Sequence, residues 1–343
     1  MKALMVTARG VLDVRELPMP EPGPYDALCR TTFGAICAGT DTHVIDGTFG
    51  PDRYPAIIGH ETIGEVIVVG SAVTAYAPGD LVTRVAVPPS PNGEYELAWG
   101  GMAEYAVARD HRALARDGHA ESSWRAARVN QVIRTRSLPA RQMPIFITWR
   151  ETYSYTRRLG VVPGCRVLIS GSGANGLAIA AMARLLGATE VALVGSPHRL
   201  SEAGRAGASV AVSYKQEAAV GDLVDEWRAS VDILVDATGI RHSLDRLLPA
   251  IANDGIVGVY GLDDAGKYAI DPTRAPSFRF LDPGYEEAEA HDAIEQAIDN
   301  GLLDAGIWID EDSTFGWGTI RDAYGAARDR SLIKPVIDLR SPL

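Results

Sequence analysis

The sequence predicts an α/β protein of two domains, one β-rich and one built on a doubly wound parallel sheet. Three observations predict this. Short apolar runs broken by Pro and Gly fill residues 1–107, and strand-like and helix-like segments alternate from Arg166 to Tyr260. A glycine turn, Gly171-Ser172-Gly173-Ala174-Asn175-Gly176, stands at the head of that alternation. With 343 residues, 46% of them apolar, the chain holds enough material for two cores.

In the first region the apolar runs Ala3–Thr7, Ala27–Thr32, Gly64–Val69 and Leu81–Val87 are short and turn-bounded, as strands are. Pro18-Met19-Pro20-Glu21-Pro22-Gly23-Pro24 and Ala77-Pro78-Gly79-Asp80 punctuate them. A further strand follows Gly100-Gly101. Residues 110–144 carry little periodicity and hold Arg125, Arg128, Arg134, Arg136 and Arg141, read as a solvated face. Helical spacing of Trp149, Tyr153 and Leu159 predicts a helix from about Ile147, stopped at Gly160 and Pro163-Gly164.

The alternation then supplies strands at 166–170, 190–194, 209–213, 231–235 and 256–260. Helices are expected at 175–186, 198–206, 218–228 and 242–250. A sixth strand is expected near 277–281, a helix over 284–301, and a strand-like tail at 334–339. The expected domains are 1–152, completed by 286–343, and 153–285.

A formal charge of −11 argues against nucleic acid or an anionic membrane as partner. No apolar run reaches membrane-spanning length, and the N-terminus reads as a first strand, so a cytoplasmic protein is expected. Cys29, Cys37 and Cys165 are too few for a disulfide framework, and no C-x-x-C exists for a four-thiolate zinc site.

Chemistry is concentrated in two places. The glycine turn, in strand–turn–helix context, binds a dinucleotide pyrophosphate at a helix N-terminus, through Gly171, Gly173, Asn175 and Gly176. At the end of the second strand Gly195-Ser196-Pro197-His198-Arg199 offers donors and no carboxylate. With Tyr214-Lys215 this favours NADP over NAD. Thr238 and Tyr260, after later strands, fall where the crevice holds the nicotinamide. Elsewhere, Cys37, His60, Glu61 and Glu151 form the mixed sulfur, nitrogen and oxygen set that a catalytic zinc accepts.

These segments resemble the zinc-dependent medium-chain dehydrogenase/reductase superfamily, and within it the NADP-dependent secondary alcohol dehydrogenases. The resemblance rests on Gly59-His60-Glu61-Thr62-Ile63-Gly64-Glu65-Val66, Pro78-Gly79-Asp80-Leu81-Val82, Gly100-Gly101-Met102-Ala103-Glu104-Tyr105, the nucleotide turn, and Leu332-Ile333-Lys334-Pro335-Val336. It implies a GroES-like catalytic domain and a Rossmann-type nucleotide domain. It also implies one catalytic zinc on Cys37, His60 and Glu151, with Glu61 as neighbour or exchanging ligand; the lobe that holds a structural zinc in many members has lost its cysteines here, so no structural zinc is expected. Thr40 would relay the substrate proton, His43 extending the relay. Gly195, Ser196 and Tyr214 would surround the NADP phosphate. The implied activity is hydride exchange between NADP(H) and a secondary alcohol or ketone, in a homodimer or homotetramer.

One departure bears on the site. Cys37-Ala38-Gly39-Thr40-Asp41 carries one residue more than the family's spacing, so ligation by Cys37 requires a shifted turn. Three other readings share these features: an NAD(P)-dependent polyol or sugar dehydrogenase, a zinc-free reductase of the same fold, and a non-catalytic NADPH-binding protein.

Overall fold

A computed structural model describes residues 1–342. Two compact units result, one of Met1–Ile147 with the residues from Trp308 onward, the other Thr148–Ile307.

The first unit is β-rich, as the turn-punctuated apolar runs predict. Its larger sheet runs in the order Thr314–Phe315, Val336–Asp338, Asp26–Ala35, Glu61–Val69, Leu81–Thr83, Val132–Ile133, with Tyr105–Arg109 also paired to Asp26–Ala35. A smaller sheet joins Val11–Glu16, Lys2–Ala8, Ala56–Ile57 and Glu96–Leu97. Two pairings place the site. Ala35 lies opposite Glu61 in the antiparallel pair of strands, and Val336 lies opposite Ala35 on the other side. The C-terminal strand is thereby threaded beside the segment that carries Cys37. Leu4, Ile36, Val44, Ile58, Met102, Trp317, Ile320 and Ile337 share the core beneath.

The second unit carries six parallel strands in the order Val210–Ser213, Glu190–Gly195, Arg166–Ser170, Val231–Asp236, Ile251–Val259, Phe278–Phe280. Strands buried on both faces explain their continuous Val, Ile and Leu runs. The order reverses between Arg166–Ser170 and Val231–Asp236, the point at which such sheets open a crevice at the strands' C-terminal ends.

One expectation is corrected. The helix expected over 242–250 is absent; turns lead into a single 3₁₀ turn at Leu248–Ala250. His242 adopts a left-handed backbone (φ 62°), Asp245 accepts the Asp271 N–H at 2.8 Å, and Pro249 has no N–H to donate, so local side-chain bonds replace the helical ladder. Helix Glu287–Asp299 lies in the second unit. Its buried face (Ala290, Ile294, Ala297, Ile298) and the fully buried Arg150–Glu287 pair at 2.5 Å anchor it there.

Candidate active site

Cys37 ends the run from strand Asp26–Ala35 and stands as N-cap of helix Ala38–Ile45, with an extended backbone (φ −88°, ψ 97°). The extra residue is absorbed in that helix's first turn. Thr40 stays beside Cys37, Sγ to Oγ1 3.5 Å, and Asp41 turns back so that its Oδ2 accepts the Cys37 N–H at 3.2 Å.

His60 and Glu61 arrive at the start of strand Glu61–Val69, after Gly59. Gly59 is left-handed (φ +95°), and a Cβ there would lie 2.3 Å from Met102 Cγ, so only glycine makes this approach. Cys37, His60 and Glu61 each offer a ligand atom, all within 4.8 Å of one another, and all three residues are buried.

The electrostatics of the cluster follow from burial. Desolvation, then the Glu61 charge, pushes the Cys37 thiol up to about 12. Desolvation and the nearby Arg84 and Lys334 charges hold His60 well below its ordinary value, so its ring is neutral. Burial and Glu61 raise Asp41 to about 7. Against these acids stands Lys334, 1% exposed, whose Nζ donates to Glu61 Oε2 at 2.5 Å. His60 Nδ1 lies 3.8 Å from Asp41 Oδ1, and both atoms are buried without a hydrogen-bond partner. A soft thiol sulfur, a neutral imidazole and a carboxylate, with polar atoms left unsatisfied around them, fit a zinc ion once the thiol proton is displaced.

In the second unit the glycine turn follows strand Arg166–Ser170, with Gly171 at its start and Gly173 as N-cap of helix Ala174–Leu185. Asn175 lies in that helix's first turn. A Cβ on Gly176 would lie 2.0 Å from the Gly171 carbonyl oxygen, so helix and turn pack backbone to backbone. Ser172 Oγ accepts the Ser196 N–H at 2.8 Å, tying the turn to the end of the second strand at Gly195. Thr238 and Tyr260 follow adjacent strands, and Glu151, on helix Ile145–Arg158, accepts from the Tyr260 hydroxyl at 3.3 Å.

A zinc-binding dehydrogenase family matches residues 174–280, and an alcohol dehydrogenase GroES-like domain family matches residues 23–117. An L-threonine 3-dehydrogenase of Saccharopolyspora erythraea is 30% identical over 285 residues, 79% of each chain. The chain belongs to the zinc-dependent medium-chain dehydrogenase/reductase superfamily. An alcohol dehydrogenase of Cupriavidus necator is 29% identical over 298 residues, 77% of this chain and 78% of that one. A zinc-binding dehydrogenase of Sinorhizobium meliloti, solved with NADP bound, shares the fold: TM-score 0.78, 23% identity, 98% of each chain covered.

In this superfamily member the end of the second strand carries Gly195, Ser196, the exposed His198 and Arg199, the last 3.8 Å from Glu202 across one helical turn. Tyr214 is 46% exposed, with the Lys215 ammonium over its ring at 5.9 Å, and Arg246 donates to the Tyr214 carbonyl at 3.1 Å. Several positioning residues escaped the sequence reading. Asp41 and Lys334 are polar groups in motifs that carry no signal of their own role. Asp236, fully buried, accepts from Thr238 N–H (2.8 Å), the Thr238 hydroxyl (2.7 Å) and the Tyr268 hydroxyl (3.0 Å), and so shapes the crevice turn. A carboxylate ending a strand before Thr-Gly was the available hint. Among the described residues no helix is long and apolar enough to cross a membrane.

Proposed function

We propose that the chain transfers hydride between NADP(H) and a secondary alcohol or its ketone, with one catalytic zinc. The observation that carries the proposal is the buried convergence of Cys37, His60 and Glu61. Zinc held there by Cys37 and His60, with Glu61 as neighbour or exchanging ligand, would polarise the alcohol oxygen and lower its pKa.

The chain's own groups then have distinct tasks. Asp41 fixes the turn that presents Cys37, through the Cys37 N–H, and faces His60 Nδ1. Lys334 balances the Glu61 charge in a buried setting. The Thr40 hydroxyl, beside the Cys37 sulfur, would accept the alcohol proton while passing its own outward. From Thr40, helix Ala38–Ile45 leads outward to His43, whose Nδ1 pairs with Thr48 Oγ1 at 2.7 Å.

NADP is favoured over NAD because Gly195 is followed by Ser196, His198 and Arg199, with no carboxylate at the strand end to repel a phosphate. The NADP bound by the Sinorhizobium meliloti relative supports the same reading. Edge strand Phe278–Phe280, with Phe280 53% exposed, suits pairing of two copies into a homodimer or homotetramer. Metal analysis of the purified protein, with a screen of secondary alcohols, ketones and polyols against NADP(H) and NAD(H), tests the proposal. Zinc near one per chain and NADP-linked turnover of secondary alcohols are expected. A zinc-free protein with no turnover overturns it, and polyol turnover with NAD replaces its substrate and cofactor.

A further inference from the structure

We infer that Phe49 and Trp99 form the substrate-selecting wall of this site, and that its preferred substrates carry a planar aryl group on the carbinol carbon. The inference rests on the dehydrogenase reading above. Trp99 has a left-handed backbone (φ 69°), a conformation that bulky residues adopt only when their surroundings impose it. The surroundings here do impose it. On one side Ala98 N–H donates to Ile57 O at 2.8 Å; on the other, Val87 N–H donates to Gly100 O at 2.9 Å and Gly101 N–H to Gly59 O at 2.8 Å.

What the strained backbone gains is the position of the indole. Its ring centroid lies 5.1 Å from that of His60, tilted by 50°. Phe49 also stacks on the indole, 6.0 Å away at 28°. The metal-binding residues are buried, whereas Trp99 and Phe49 are 39% and 47% exposed. Two exposed aromatic rings, stacked on each other and abutting a catalytic histidine, present a π surface beside the reacting position. Two polar side chains on the loop that carries Phe49 are already paired, Thr48 with His43 and Arg53 with Glu96. A polyol's hydroxyls would therefore find little to bond there, while a flat aryl substituent would stack.

The test compares 1-phenylethanol with 1-cyclohexylethanol, which has the same carbon skeleton without the π face. Dissociation constants by calorimetry and kcat/KM are measured on the zinc-loaded full chain. The variants are Trp99→Gly, which suits the left-handed backbone and keeps the fold, and Trp99→Phe, which keeps a ring. The wild type should prefer the phenyl compound in both readouts. Trp99→Gly should weaken its binding about fivefold and bring the phenyl-to-cyclohexyl ratio near one, and Trp99→Phe should restore most of the preference. An unchanged ratio in Trp99→Gly overturns the assignment. So does wild-type turnover of aliphatic secondary alcohols with no aryl preference, which leaves the dehydrogenase reading standing. Trp99-dependent phenyl binding in a protein that turns over no alcohol upholds the wall and overturns that reading.

Discussion

In the first unit the candidate site is assembled from side chains converging from distant stretches: Cys37 and Asp41 from one helix start, His60 and Glu61 from a strand start, Lys334 from the bend ahead of the C-terminal strand. In the second unit the nucleotide turn is assembled from side chains left out, and its key contact is between bare backbone at Gly171 and Gly176. The first region is held by charge in a dry interior, where each group depends on its partner. The second is held by shape, where an atom added at Gly171 or Gly176 collides. Function at the first should fail by losing an atom, and at the second by gaining one.

The largest expected effect is at His60. His60→Ala should eliminate bound zinc and lower turnover by about a thousandfold or more, read by metal analysis and steady-state kinetics. A variant that keeps both would move the metal site elsewhere. Next is Lys334→Met, which strands the buried Glu61 without its cation and should cost about 3–5 kcal/mol in denaturant unfolding. A cost under about 1 kcal/mol would mean that Glu61 does not depend on this partner.

Gly176→Val probes the opposite material. With its Cβ only 2.0 Å from the Gly171 oxygen, it should destabilise the second unit by about 1–3 kcal/mol and abolish NADP binding, leaving zinc content intact. Loss of zinc as well would blur the contrast between the regions. Smaller still, Ser196→Asp with Arg199→Asp should shift the NADP-to-NAD ratio of kcat/KM toward NAD by about tenfold to a hundredfold. An unchanged ratio would remove these residues from the phosphate pocket. Finally, zinc must displace a proton from Cys37, whose thiol lies near 12, while His60 is already neutral. Zinc affinity should rise with pH, by about tenfold per unit between pH 6 and 8, in competition titrations. A flat profile would remove the thiol from the ligand set.

The two regions also differed in how far the sequence revealed them. The parallel sheet was legible because strands buried on both faces write themselves as unbroken apolar runs, and Gly171 to Gly176 is local in the chain. The helix expected at 242–250 failed because Asp245 is committed to Asp271, a pairing that periodicity does not record. In the first unit, residue types at Cys37 and Gly59-His60-Glu61 marked the cluster, but its support was hidden. The Lys334–Glu61 pair spans the chain from the second strand after the helix to the C-terminus, and only strand pairing brings it about. The left-handed Trp99 has no sequence signature, since glycine is the residue that usually announces such a backbone. The extra residue after Cys37 read as an obstacle, yet the start of helix Ala38–Ile45 accommodates it by keeping Thr40 at the sulfur and folding Asp41 back onto the Cys37 amide.

That accommodation is the hinge of the account, and cobalt reports on it directly. Replacing zinc with Co(II) and recording the near-ultraviolet spectrum should give a thiolate-to-cobalt charge-transfer band, absent from Cys37→Ser. A cobalt-loaded protein with no such band, or a Cys37→Ser variant that keeps it, would contradict ligation by Cys37.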